Sequence, residues 1–172
     1  KKDSISSVKF EFGTKAETLH RLKPMLSKSH VPELYSFSVI EWHNKPGNII
    51  DDIASLFNGQ VVIVRSSSKA EDSDHSAQSG AYLSIPDIES TNTDELASAI
   101  DDVVVSYHKT GESDGHNPGN QILVQQMISK VALSGVVFTQ DLSTGAPYYV
   151  INYDDETGGT DSVTSGQYNN RT

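Results

Sequence analysis

The segment Val61-Val62-Ile63-Val64-Arg65-Ser66-Ser67-Ser68-Lys69-Ala70-Glu71-Asp72 decides how this chain is read. Its first four residues are an unbroken apolar run of strand length, the pattern of a strand buried on both faces. From Arg65 to Ser79 the sequence is polar and crowded with Ser, Asp and Glu, which reads as a loop. A buried strand thus delivers a guanidinium at its end, followed by three hydroxyls. A planar donor fork suits phosphate, and the hydroxyls of Ser66 and Ser67 with loop amides supply further donors. The same residues fit an arginine capping a carboxylate beside a polar loop, and the pattern alone leaves both readings open.

Upstream of this junction, Ile49, Ile50, Ile53, Leu56 and Phe57 form one apolar helix face, with Gly59 as its stop. Tyr35 to Ile40 reads as a strand. Ser7-Val8-Lys9-Phe10-Glu11-Phe12 alternates with period two, a half-buried strand ended by Gly13. Thr14 and Glu17 have capping-box spacing, and Leu19, Leu22 and Leu26 follow at helical intervals, with Pro24 near the helix end. Downstream, Gly80 to Ile85 reads as a strand. Asn92 and Glu95 resemble a cap for a long amphipathic helix carrying Leu96, Ala99, Ile100, Val103, Val104 and Tyr107. Ile122-Leu123-Val124, Gly135 to Thr139 and Tyr148 to Ile151 read as three successive strands, with Ser143 to Ala146 as a turn. Apolar content falls from Asp154 onward, as in a loop or a frayed end. The mixture predicts an α+β fold.

Lys15 is the second candidate for binding an anion. It follows Gly13 at a strand-to-helix turn, where backbone amides favour anions and a lysine reaches phosphate as a point charge. Read plainly, it is a solvated first-turn lysine that mildly opposes the helix dipole. The third candidate is the set Asp141, Asp154, Asp155, Glu156 and Asp161 with Asn152, since magnesium on a nucleotide needs only one or two protein oxygens beside phosphates and waters. Ordinary turn chemistry explains these residues equally well. The six histidines show no metal-ligand spacing, and neither a Walker loop nor GxGxxG is present.

Composition narrows the classes. The 172 residues carry 23 Asp+Glu against 13 Lys+Arg, a net charge of −10, and no cysteine. Non-specific nucleic-acid binding, disulfide scaffolds, thiolate zinc sites and cysteine nucleophiles are excluded. A few local cations can still outweigh the global sign at one site. No apolar run approaches the roughly 18 residues of a membrane helix, and no signal region follows Lys1-Lys2-Asp3-Ser4, so cytoplasm is the expectation.

Several blocks occur in a distinctive order: Gly13-Thr14-Lys15-Ala16-Glu17-Thr18-Leu19, Val31-Pro32, Val64 to Asp72 with Ser79-Gly80, Val124-Gln125-Gln126-Met127-Ile128, Ser134 to Thr139 with Asp141, Ile151-Asn152, and Val163 to Gly166. Together they resemble the N-terminal ATP-grasp domain of phosphoenolpyruvate synthase and pyruvate phosphate dikinase, shared by glucan water dikinases and rifampicin phosphotransferases. The resemblance runs from about Phe12 to Gly166. It implies an ATP-grasp-like fold with mixed or antiparallel sheets, packed helices and two small lobes, roughly 1–120 and 121–172. It implies ATP held between the lobes with Mg2+ on its phosphates, and phosphorylation of a histidine on a separate swivelling domain of the same or a partner chain. By the same resemblance Lys15 and Arg65 contact phosphates as the catalytic pair, and Gln125, Gln126, Met127 and Ile128 line the adenine pocket. Asp141, Asn152 and Asp161 are implied as metal or second-shell ligands. Thr157-Gly158-Gly159-Thr160-Asp161 departs from the usual Gly-Leu-Gly-Glu, and Gly13 to Glu17 from Gly-Gly-Lys-Gly. With no Thr-Ser-His block present, the expectation is a piece of a larger phosphotransferase. A nucleotide-sensing or interaction module without chemistry is the alternative. Trp42 with the tyrosines as a carbohydrate surface is weaker still.

Overall fold

The structure is a computed structural model that describes residues 10–68, 83–109, 117 and 119–156. The chain divides into two compact units, Lys1–Met127 and Ile128–Thr172. The described elements are α+β with antiparallel sheets and four α-helices.

The first unit is built on a four-stranded antiparallel sheet in the order β1-β4-β2-β3. Its strands are β1 (Leu34–Ser38), β2 (Val61–Ser67), β3 (Ser84–Glu89) and β4 (Gln121–Gln126). On one face lie α2 (Val39–Asn44), α3 (Pro46–Phe57) and α4 (Thr93–Lys109). Their apolar side chains, Trp42, Ile49, Ile53, Phe57, Leu96, Ile100 and Val103 among them, close a core over Phe37, Val62, Val64, Ile88, Ile122 and Val124. The other face carries α1 (Lys15–Leu22), whose Ala16 and Leu19 pack with Val31, Leu34 and Leu123 in a smaller cluster. Successive strand residues point to opposite faces, so Val62 and Val64 serve the large core while Ile63 and Arg65 turn toward the α1 side. β4 is hydrogen-bonded on both edges, to β1 and β2. It therefore belongs with the residues before it, in the unit that ends at Met127.

Three local readings are corrected. The strand expected over Ser7–Phe12 is absent from its described part: Phe10 to Phe12 have no sheet partner, and the rings of Phe10 and Phe12 pack edge to face at 5.0 Å instead. The strand expected over Tyr35–Ile40 stops at Ser38, where a helix begins. Ser38 accepts a hydrogen bond from Glu41 N and the Glu41 carboxylate takes the Ser38 amide, a capping box that outweighs the β-branched Val39 and Ile40. The run from Val61 is buried on one face only, Val61 being 43 % exposed, and it continues as strand through Ser67. Pairing with β4 carries Arg65, Ser66 and Ser67 into the ladder, opposite Leu123, Ile122 and Gln121. The loop expected beyond, residues 69 to 79, and the start of the strand expected at Gly80 lie outside the described residues.

The second unit contains the antiparallel hairpin of β5 (Ser134–Phe138) and β6 (Val150–Asp154). Gly135 faces Tyr153 across it, and a Cβ there would stand 2.7 Å from Asn152 O and 3.2 Å from Tyr153 Cβ, so the close approach requires glycine. Between the strands Asp141 organises a turn. Its Oδ1 accepts from the amides of Ser143 (3.0 Å) and Thr144 (2.8 Å) and from both hydroxyls (2.7 and 2.8 Å). The Ser143 and Thr144 donors hold its carboxyl down to about pH 2, from an ordinary 3.8. A depressed pKa stabilises the fold above the unfolded value, and the gain is lost as pH falls through the folded one. NMR titration of the Asp141 carboxyl is expected to give a midpoint near 2, with the turn loosening between pH 3.8 and 2. A midpoint at 3.8 would show that these four donors do not hold the charged form.

Candidate functional site

A cleft of about 440 Å³ opens between the start of α1 and the sheet face, lined by Phe12, Gly13, Lys15, Thr18, Leu19, Arg65 and Leu123. Each wall follows from local structure. Thr14 is the N-cap of α1: its hydroxyl accepts from Glu17 N, and the Glu17 carboxylate accepts from Thr14 N. Gly13 enters this turn because a Cβ would land on the Glu17 carboxylate and 2.9 Å from Glu17 Cβ. Lys15, Thr18 and Leu19 then share one face of the helix by their i, i+3, i+4 spacing. Arg65 and its cross-strand partner Leu123 form the floor.

Buried hydrogen bonds fix helix to sheet here. Thr14 Oγ1 donates to Gln121 Oε1 (2.8 Å), and Ala16 N donates to Ser67 Oγ (2.9 Å). From the opposite layer, Tyr107 OH accepts from Ser67 N (2.8 Å) and donates to Gln121 O (2.6 Å). Three layers thus meet at the Ser67–Gln121 pair, one step beyond Arg65 on its face of β2.

Arg65 is the electrostatic anomaly. Its Nε is buried with no hydrogen-bond partner, and among the described residues no carboxylate pairs with it, in a chain with ten more acids than bases. Among the described residues, the carboxylate-capping alternative for Arg65 finds no carboxylate. A buried donor without a partner is costly and marks a place where a ligand or water completes the set. With Lys15 on the same cleft, the two cations expected to converge on one anion do share a cavity.

The other expected site residues fall elsewhere. Ser66 and Ser67 are 2 % and 0 % exposed, and Ser67 Oγ accepts from the Ala16 amide. Gln125 lies between Leu34 and Ile63, while the Gln126 and Met127 amides donate to Glu33 O and Val61 O, both at 2.9 Å. Ile128 is 65 % exposed at the start of the second unit. None of these four lines the cleft. Asp141 and Asn152 belong to the second unit, Asn152 opposite Val136 within the hairpin and Asp141 in the turn beyond its end. Asp161 lies outside the described residues. Among the described residues no group of three or more His, Asp or Glu side chains converges as a metal cage. No described helix is long and apolar enough to cross a membrane.

The sequence reading missed Phe12, Thr18, Leu19 and Leu123 as cleft residues. The helical spacing from Lys15 was the available signal for Thr18 and Leu19; Phe12 and Leu123 become neighbours only through α1 packing on β4. Comparison with curated proteins gives no match. The family model described as the AMP/ATP-binding domain of pyruvate phosphate dikinase matches residues 8–168, nearly the whole length, and the chain belongs to that family.

Proposed function

We propose that the chain binds ATP with its phosphates against Arg65 and Lys15, as the nucleotide-binding part of a dikinase-like phosphotransferase. The observation that carries the reading is the partnerless buried Nε of Arg65 in a cleft it shares with Lys15. An Nε without a partner breaks no bond of its own to meet an incoming anion, and partial burial strengthens the contact over one in water. Lys15 adds a flexible ammonium at the helix start, where the peptide dipoles also favour negative charge.

Phosphoryl transfer relies chiefly on positioning and charge neutralisation, and these two cations would supply the protein's share of both. The acceptor in this reading is a histidine on a separate swivelling domain. Magnesium, when bound, would neutralise the β- and γ-phosphates, and the nucleotide's own oxygens with Asn152 and Asp161 are its proposed ligands. Asp141 is the weakest member of that set, because its Oδ1 is already taken by four donors. That saturation favours a second reading, a nucleotide-sensing module without chemistry. The two part on whether Mg2+ strengthens ATP binding.

The direct test is calorimetric titration of the chain with ATP and with adenosine. Adenosine, lacking phosphates, is expected to bind at least roughly tenfold more weakly, the worth of one charge-assisted contact. Added salt is expected to narrow the gap. Equal affinities would remove the phosphates from the interaction and overturn the reading.

A further inference from the structure

The two cations of the cleft stand on different elements, so their separation depends on how α1 is set against the sheet. An eight-residue helix has little hold on its own conformation, since isolated helices this short are marginal in water. Its apolar contact with the sheet is small, Ala16 and Leu19 with Val31, Leu34 and Leu123. Lys15 is flanked by two polar anchors: Thr14 before it bonds β4 through Gln121, and Ala16 after it bonds β2 through Ser67. Gln121 and Ser67 face each other across the ladder, and Arg65 and Leu123 form the next pair on the same face, about 7 Å along the strands. The start of α1 and Arg65 are thus referenced to the same two strands.

Gln121 is the more exacting anchor. Thr14 is fully buried; its single hydroxyl proton goes to Gln121 Oε1 (2.8 Å), while the same oxygen accepts from the Glu17 amide (3.2 Å). The donor end of the Gln121 carboxamide, Nε2, lies 3.5 Å from Glu17 Oε1, the other half of the capping box. One side chain on an inner strand therefore meets both members of the box that starts α1, at sequence separations of 107 and 104 residues. Tyr107 OH fixes its backbone in turn, donating to Gln121 O at 2.6 Å. The amides of Gly13, Thr14, Ala16 and Glu17 donate to Thr18, Glu17, Ser67 and Thr14, so those amides are closed to an anion and the contact from this turn rests on the Lys15 side chain. Resting on the nucleotide reading, we propose that Gln121 is a positioning residue for ATP. It does not line the cleft, and it acts through Lys15 by fixing where α1 begins relative to Arg65.

The experiment is a double-mutant cycle on the whole chain, read by calorimetric titration with ATP. Gln121→Met keeps the length of the side chain and loses both polar ends. It is expected to weaken ATP binding roughly three- to tenfold, part of the roughly ten- to a hundredfold expected for Lys15→Ala. The double variant is expected to bind no worse than Lys15→Ala alone, because the displaced ammonium is already gone. Thr14→Ser keeps the hydroxyl and is expected to retain ATP affinity. Thr14→Val breaks the same bond from the helix side and repeats the cycle if Gln121→Met does not fold. A role confined to stability would lower the thermal midpoint and leave ATP affinity unchanged. That result, or an equal loss with and without Lys15, would overturn the positioning role while leaving the phosphate site standing. If Lys15→Ala itself leaves ATP affinity unchanged, or the unmodified chain does not bind ATP, the nucleotide reading fails and takes the positioning role with it.

Discussion

Arg65→Ala is expected to weaken ATP binding roughly ten- to a hundredfold, the worth of one charge-assisted contact of about 1.5–3 kcal/mol. The same substitution is expected to leave the thermal midpoint unchanged or to raise it. Arg65 makes no ion pair among the described residues, and its Nε is buried without a partner, so among those residues its loss breaks no ion pair and relieves a desolvated donor. A structural arginine would behave oppositely, since removing half of a buried pair is strongly destabilising. Arg65→Lys is expected to recover only part of the affinity, because a point charge cannot reproduce a planar fork. Titration calorimetry beside a thermal melt reads both quantities. Unchanged ATP affinity would sink the assignment.

The second large effect is structural. Tyr107→Phe deletes one oxygen that accepts from Ser67 N and donates to Gln121 O, where the tyrosine is 1 % exposed. Both backbone groups lose their partner in a place where water does not reach easily. The expected cost is about 1–3 kcal/mol, the penalty for leaving buried polar groups unmet. Trp42, the chain's single tryptophan, is 5 % exposed, packs near Phe37 and donates from Nε1 to Asp101 Oδ1 at 2.8 Å, so its fluorescence follows unfolding of the first unit. A lower urea midpoint with an unchanged slope is expected. An unchanged midpoint would mean that the strand ends relax to satisfy themselves. Ser67 also receives the Ala16 amide, so loosening this pair reaches the helix start that presents Lys15.

Where periodicity and caps agree, the sequence is legible. The capping box at Thr14 and Glu17, the apolar face from Ile49 to Phe57 and the Asn92–Glu95 pair all lie where their spacing puts them. It misleads where a local signal is overridden. Val39 and Ile40 look like strand, yet the Ser38–Glu41 box converts them to helix. Serines look like loop, yet ladder partners on β4 hold Ser66 and Ser67 extended. At the site, Arg65 and Lys15 were each visible as local oddities, a charge at a strand end and a cation at a helix start. Their sharing of one cavity was expected from the resemblance rather than from spacing. The apolar wall was not legible at all, because Phe12 and Leu123 are brought together only by α1 lying across β4.

The order β1-β4-β2-β3 has a consequence for biosynthesis. The strand made last in the first unit occupies an inner position, so a nascent chain that has emerged only through α4 holds β1 and β2 with no bridge between them. Their facing edges stay unpaired until residues 121–126 leave the ribosome. Maturation of this sheet is therefore a late, long-range closure, slow by its topology and exposed to wrong pairing while it waits. A fragment ending before Gln121 lacks this inner strand and with it Leu123 in the floor of the cleft.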